Sequence, residues 1–190
     1  MGRKMAAPGA KYRSSNRIFA IVVPPITGFD SPTWRAFDDC RKGDHEAVML
    51  RVVDFGEMYR AGVVFEPAGE VDLDTIAPQL MISDKSQIGA PLESIEETHV
   101  STQFGDATLR LYSIKGGSLI VTTALGQKRQ KPESHDSYIA LLVVRQPGRI
   151  LFVAAQDDYV GIIDKTADDA WKQALKAQAQ ALFATMTLGK

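Results

Sequence analysis

The sequence predicts an α+β fold, in which an antiparallel sheet carries a long amphipathic helix near the C-terminus. Runs rich in β-branched and aromatic residues outnumber helical patterns, and short glycine-containing turns join neighbouring runs. Parallel strands need long crossover connections, so these short turns indicate antiparallel pairing. At the end of the chain, apolar residues recur at helical spacing over about 20 residues, and a helix with one apolar stripe must pack against the sheet.

The composition is that of an ordinary globular protein. The chain has 190 residues, of which 45% are hydrophobic and 24% charged, which suits one α+β domain over residues 11–190 after a flexible N-terminal segment, 1–10. The net charge of −1 gives no overall positive field to attract nucleic acid. The longest apolar run, Ile18–Ile26, is shorter than the roughly 20 residues that cross a bilayer, so no transmembrane segment is expected.

The N-terminal half contains two predicted strand regions separated by an irregular stretch. Arg17–Val23 is a predicted strand that a double proline ends. Residues 26–46 contain two glycines and a proline among mixed polar residues, and we expect a long loop with one short helical turn around Trp34–Cys40. Ala47–Phe55 and Met58–Phe65 then form a hairpin about a two-residue turn at Gly56–Glu57.

The sequence pattern in the middle of the chain predicts one short helix and a β-meander. Asp72 or Asp74 is a suitable N-cap for a short central helix. The meander consists of strands over 98–104, 107–115, 118–125, 137–145 and 149–155. Gly116–Gly117 and Gln146–Gly148 mark two of its turns, and 126–136 is a polar excursion.

The C-terminal helix has a clear pattern. Thr166 and Asp169 resemble a capping box. The apolar stripe that follows is formed by Trp171, Leu175, Leu182, Phe183 and Met186. This helix should dock on the sheet.

The order of elements resembles the PsbP-like α/β/α sandwich family. The resemblance rests on the segments "KYRSSNRIFAIVVPP", "SYIALLVVRQPGRILFVAAQ" and "DDAWKQALKAQAQALFATM", and it covers roughly residues 11–188. That family includes extrinsic photosystem subunits, a nuclear-import cofactor and many bacterial proteins. The resemblance implies a binding or assembly-assisting module without catalytic activity, which is an analogy at the level of the fold.

The candidate catalytic and metal-binding residues lie in two polar stretches. The run 38–46 contains Cys40 and His45 among carboxylates, but it lacks the ligand spacing of a metal site. Ser134–His135–Asp136 contains the residue types of a catalytic triad, but adjacent residues on one hydrophilic loop do not reach triad geometry. We therefore expect no catalytic residue, no metal site and no cofactor. A hydrolase-type enzyme that uses Cys40 or His135 is an alternative.

The segment 26–46 is the expected recognition element. Long irregular segments in compact domains are often functional, and Trp34 and Arg35 are residue types favoured at interfaces. The candidate binding residues are Trp34, Arg35 and His45. The predicted function is a non-enzymatic binding or accessory domain, bacterial in origin, with an unknown protein partner. A small-ligand carrier, with its ligand between the sheet and 26–46, is a further alternative.

The sequence leaves cellular location and oligomeric state open. As it stands it predicts a cytoplasmic chain. The small-residue stretch Ala6–Ala10 resembles the spacer after a removed leader, which would place the protein in the periplasm or on the envelope.

Overall fold

Most of the described residues lie in β-strands. A computed structural model describes residues 3–25, 34–41, 43–51, 57–65, 77, 92–120, 133–157 and 168–189. The strands are β1 (Arg3–Ala6), β2 (Lys11–Arg13), β3 (Phe19–Val22), β4 (Trp34–Arg41), β5 (His45–Arg51), β6 (Glu57–Phe65), β7 (Leu92–Thr102), β8 (Gly105–Ile120), β9 (Glu133–Gln146), β10 (Arg149–Asp157) and β11 (Thr187–Leu188), and helix α1 is Asp168–Ala184.

The strands form a large and a small sheet. The large sheet has the order β1-β4-β5-β6-β10-β9-β8-β7, and the small sheet has the order β11-β3-β2. Every described pairing is antiparallel. The predicted α+β class with an antiparallel sheet is therefore confirmed. The segment 3–6, expected to be loose, pairs with β4 as an edge strand.

The principal core lies between one face of the large sheet, the small sheet and α1. Alternate residues of the central strands turn apolar side chains to this face, because successive side chains in a strand point to opposite sides. The helix contributes the buried side chains Leu175, Ala179, Leu182 and Phe183, and the small sheet contributes Tyr12, Phe19 and Ile21. This confirms the predicted docking of the C-terminal helix, which begins within two residues of the predicted cap. Thr166 itself lies outside the described residues.

The opposite face of the large sheet carries a second apolar cluster. Its buried members include Ile139 and Leu141 from β9 and Phe152 from β10. Ala77, also buried there, is the one described residue of the segment in which a short central helix was predicted from Asp72 or Asp74. The rest of the segment in which that helix was predicted lies outside the described residues.

The prediction of a loop with a helical turn over 34–40 is wrong, because β4 occupies these positions. Trp34 and Ala36 are fully buried on the principal-core side, and this alternation is that of a strand. The polar residues that suggested a loop receive hydrogen bonds from the small sheet: Ser15 Oγ donates to Asp38 Oδ2 at 2.7 Å, and Asn16 Nδ2 donates to Glu46 Oε2 at 2.7 Å. Donors so far away in sequence are not visible in a local pattern.

Two of the predicted glycine turns are also wrong. Strand β6 already begins at Glu57, and Arg51 of β5 pairs with Met58, so Gly56–Glu57 is not the turn between these strands. Residues 52–56 lie outside the described residues. Gly116–Gly117 lies inside β8, and the register of β8 with β9 shifts between Ile114 and Ser118. A bulge accommodates the glycines within one long strand. The turn after Gln146 is confirmed, since Gln146 pairs with Arg149.

Candidate binding site

A pocket opens between the end of β3, helix α1 and the large sheet. Its cavity volume is about 300 Å³, and it is lined by Val22, Val23, Pro24, Pro25, Tyr59, Gln178, Ala181, Leu182 and Thr185. The prolines end β3, because proline has no N–H to continue the ladder. The chain therefore leaves the small sheet at this point, and the gap between it and α1 stays open.

Hydrogen bonds fix two walls of this pocket. Thr185 Oγ1, just after α1, donates to Leu182 O at 2.8 Å and accepts from Val22 N at 3.0 Å, which ties the helix end to β3. Trp34 Nε1 donates to Pro24 O at 2.9 Å. The Trp34 ring also packs edge-on against Tyr59, with 5.3 Å between centroids. The cavity is thus held by side chains that are themselves packed.

The lining of the pocket is predominantly apolar. Valine, proline, alanine and leucine supply most of it, and its polar members are Gln178, Thr185 and the phenol of Tyr59. None of the lining residues is an acid, a base, a histidine or a cysteine. Such a site favours burial of an apolar group, oriented by a small number of hydrogen-bonding atoms.

Comparison with known proteins gives a match at the level of structure. No family model and no curated protein matches the sequence. The solution structure of cyanobacterial PsbP (CyanoP) from Synechocystis sp. PCC 6803 superimposes with a TM-score of 0.50 at 13% identity, over 94% of this chain and 91% of that chain. The chain has a PsbP-like fold. The resemblance inferred from the sequence is thereby confirmed for the fold, and at this identity for the fold alone.

The PsbP-like fold separates the three predicted binding residues. Trp34 is fully buried and supports the pocket wall from behind. Arg35 and His45 lie on the opposite face of the sheet, where Arg35 pairs with Arg51 and His45 with Arg41. These pairs are at opposite ends of the β4–β5 ladder, about 20 Å apart at the usual rise per residue. The fold therefore does not bring the three together.

His45 belongs to an ion cluster on that opposite face. Its Nε2 lies 3.1 Å from Asp39 Oδ1, and its Nδ1 lies 3.4 Å from Asp44 Oδ2. Arg60 Nη2 donates to Asp39 Oδ2 at 2.7 Å, and its guanidinium lies 5.8 Å from the ring centre of Phe152. Burial lowers the pKa of Arg60, and Asp39 opposes that shift. The sequence pattern did not reveal this cluster, because Arg60 comes from a different strand.

Cys40 lies on the other side of β4, beside the small sheet. Tyr12 Oη donates to Asp38 Oδ1 at 2.6 Å, which places a carboxylate near the thiol. Partial burial raises the pKa of Cys40, and the charges of Glu46 and Asp38 raise it further. This environment keeps the thiol protonated, opposite to that of a nucleophilic cysteine. Within the described residues, no group of three or more His, Cys, Asp or Glu side chains is placed to hold a metal ion.

His135 lies in a strand and not in the predicted hydrophilic loop. Strand β9 begins at Glu133, and His135 pairs with Ser118 of β8. The expected loop is therefore corrected at its C-terminal end, because strand pairing with β8 continues to Ile120. The side chains of 133–136 lie outside the described ones. Over the part of the chain that is described, no helix has the length and hydropathy to cross a membrane.

Proposed function

We propose that this chain is a non-catalytic binding domain of the accessory or assembly type, and that it receives an apolar group in the pocket between β3 and α1. The observation that carries the proposal is the pocket itself, which is preformed and apolar and has no charged side chain in its lining. The PsbP-like fold supports an accessory role by analogy.

The size of the pocket limits what it receives. A cavity of about 300 Å³ is at the lower end of the range for small-molecule sites. It suits one apolar side chain of a partner protein, or the apolar part of a small ligand. In this proposal Trp34 supports the pocket wall, while Arg35 and His45 have no part in it.

The catalytic alternatives have weaker support. A nucleophilic cysteine needs a lowered pKa or an adjacent base, whereas the surroundings of Cys40 raise its pKa. His45 lies on the other face of the sheet, within the cluster around Asp39. The described contacts of Cys40 and His45 are those of residues that stabilise the fold.

Filling the pocket tests the proposal. Ala181 is an exposed residue of α1 at the pocket rim, and Ala174 is exposed two turns earlier on the same side of the helix without lining the pocket. The neutral fluorophore N-phenyl-1-naphthylamine should bind the wild-type protein. Ala181→Trp should weaken this binding about tenfold or more, the loss expected when roughly 1.4 kcal/mol of contact is removed.

Ala174→Trp is the matched control and should bind the fluorophore like the wild type. Thermal unfolding of both variants establishes that each is folded. If the wild type does not bind the fluorophore, or if both variants bind it equally well, the pocket is not the binding site.

A further inference from the structure

The outer surface of the small sheet carries a second concave site of different chemistry. This hollow, called here the basic pocket, has a volume of about 280 Å³ and is lined by Lys11, Arg13, Arg17, Phe19, Ala20, Thr187, Leu188 and Gly189. It lies on the opposite side of the small sheet from the principal core. It is separate from the apolar pocket, with which it shares no lining residue.

Strand geometry places the basic side chains on one surface. Tyr12 points into the core, so Lys11 and Arg13 on either side of it point outward, about 7 Å apart along the strand. Arg13 pairs with Ala20, and Ala20 pairs with Thr187. The methyl group of Ala20 between two longer side chains leaves the hollow open.

The backbone of Arg17 is held in an unusual conformation beside these residues. Its φ is 61°, in the left-handed region that non-glycine residues seldom adopt. Arg17 N donates to Ser14 O at 2.9 Å, and Gly189 N donates to Ile18 O at 2.7 Å. A Cβ on Gly189 would lie 1.9 Å from Arg17 O, so only glycine permits this close approach. These backbone contacts fix the position of the Arg17 Cα, from which the side chain extends.

Among the described residues, no carboxylate side chain is paired with any of the three cations, and none of Lys11, Arg13 and Arg17 forms a side-chain hydrogen bond. Residues 7–22 and 185–189 contain no aspartate or glutamate. Asp38 and Glu46 accept hydrogen bonds from Ser15 and Asn16 of the β2–β3 turn, and Asp38 also accepts one from Tyr12, whose side chain points into the core.

We propose that the basic pocket binds a phosphate group. Two guanidinium groups, one ammonium and the hydroxyl of Thr187 present mainly hydrogen-bond donors, and phosphate presents only acceptors when fully ionised. Arginine matches the geometry of phosphate oxygens with two parallel hydrogen bonds. The phosphate belongs to a small molecule in solution or to a lipid headgroup, and both sources present the same chemistry to these residues.

Calorimetric titration with pyrophosphate at low ionic strength tests the site. The wild type should bind, and Arg13→Gln should weaken binding about tenfold, as expected when one charge-assisted hydrogen bond is lost. Arg51→Gln is the matched control, because Arg51 is an exposed arginine on the large sheet. It should change the affinity less than about twofold, the range of a general electrostatic effect.

The Ala20→Leu variant tests the contribution of the shape of the basic pocket separately from that of its charge. It keeps all three cations but fills the floor of the hollow, and it should weaken pyrophosphate binding as much as Arg13→Gln. Ala181→Trp, which fills the apolar pocket, should leave pyrophosphate binding unchanged. The proposals for the two pockets are therefore tested independently. Circular dichroism establishes that each variant keeps its fold.

The source of the phosphate is distinguished with vesicles. If phosphatidylglycerol vesicles bind and pyrophosphate displaces the protein, the headgroup is the source; if pyrophosphate binds and vesicles do not, the source is a small molecule. Either outcome supports the proposal. Absence of pyrophosphate binding at millimolar concentration, or equal weakening by Arg13→Gln and Arg51→Gln, overturns it.

Discussion

Successive side chains of β4 contact different partners on the two faces of the large sheet. Asp38 and Cys40 lie towards the small sheet, and Asp39 lies towards Arg60 and His45. The alternation of side chains along a strand produces this division. Each carboxylate has a partner on its own face, so the polar residues that suggest a loop in the sequence are satisfied within a strand.

The environment of Cys40 predicts that its thiol reacts slowly. Its raised pKa lowers the fraction of thiolate at a given pH, and the thiolate is the species that reacts. At pH 8, Cys40 of the folded protein should react with a disulfide reagent more slowly than Cys40 of the same protein in urea. The rate for the folded protein should continue to rise with pH after the rate in urea has levelled off. A faster reaction in the folded protein would instead favour the alternative in which Cys40 is a nucleophile.

Helix α1 is the element that closes the principal core. Leu175, Leu182 and Phe183 are buried beneath it, and Gln103 Nε2 of the β7–β8 turn donates to Phe183 O at 3.0 Å. Phe183 O also accepts from Met186 N at 3.0 Å, so this carbonyl at the helix end, where intrahelical donors run out, has two donors from outside the helix. The helix is thus tied both to the sheet and to the turn at its edge.

The first turn of α1 depends on Trp171. Its ring packs edge-on against Tyr138 with 5.1 Å between centroids, while its buried Nε1 has no hydrogen-bond partner among the described residues. Trp171 is partly buried against the principal core, so Trp171→Ala should reduce the free energy of unfolding by about 2 kcal/mol, below the roughly 3–5 kcal/mol of a fully buried aromatic. Trp171→Phe keeps an aromatic ring and removes the unpaired N–H, so it should cost less than about 1 kcal/mol.

Urea denaturation, followed by the fluorescence of Trp34, measures both variants. The two substitutions share a position and differ in whether a ring remains. A loss below about 1 kcal/mol for Trp171→Ala would mean that this turn of the helix contributes little to the docking.

At the scale of the whole molecule, two sheets share one core and are joined by polar contacts at its edge. Tyr12 donates to Asp38 across the sheets, and both Asn16 N and Nδ2 donate to Glu46. Burial and the neighbouring carboxylate raise the pKa of Tyr12. The folded protein therefore retains the phenolic proton to a higher pH than the unfolded chain.

The raised pKa of Tyr12 predicts a loss of stability in alkaline solution. The contribution is fully present below the pKa of an unfolded tyrosine, about 10, and it is lost as the pH rises above that value. Tyr12→Phe should cost about 1 kcal/mol at neutral pH through the lost hydrogen bond. Its stability should then fall less steeply than that of the wild type above pH ~10. Parallel curves for the two proteins in urea titrations at each pH would contradict this assignment.

The sequence by itself determined the elements whose pattern is local. The continuous apolar runs of β9 and β10, the turn at Gln146–Gly148 and the apolar stripe of α1 each predict their structure without reference to distant residues. Together they were sufficient for the fold class and for the PsbP-like resemblance. A strand buried on both faces leaves a continuous apolar run in the sequence, and a helix buried on one side leaves a periodic apolar stripe, which is why these predictions succeeded.

Tertiary structure alone decided where the sites lie. Strand β4 could not be predicted locally, because the hydrogen-bond donors to its carboxylates come from a distant part of the chain. The apolar pocket depends on a hydrogen bond between Val22 and Thr185, which are 163 residues apart. The basic pocket likewise needs Gly189 beside Arg17. The partners at these sites come from opposite ends of the chain, and a local pattern records that a residue is buried or polar without recording which distant residue it meets.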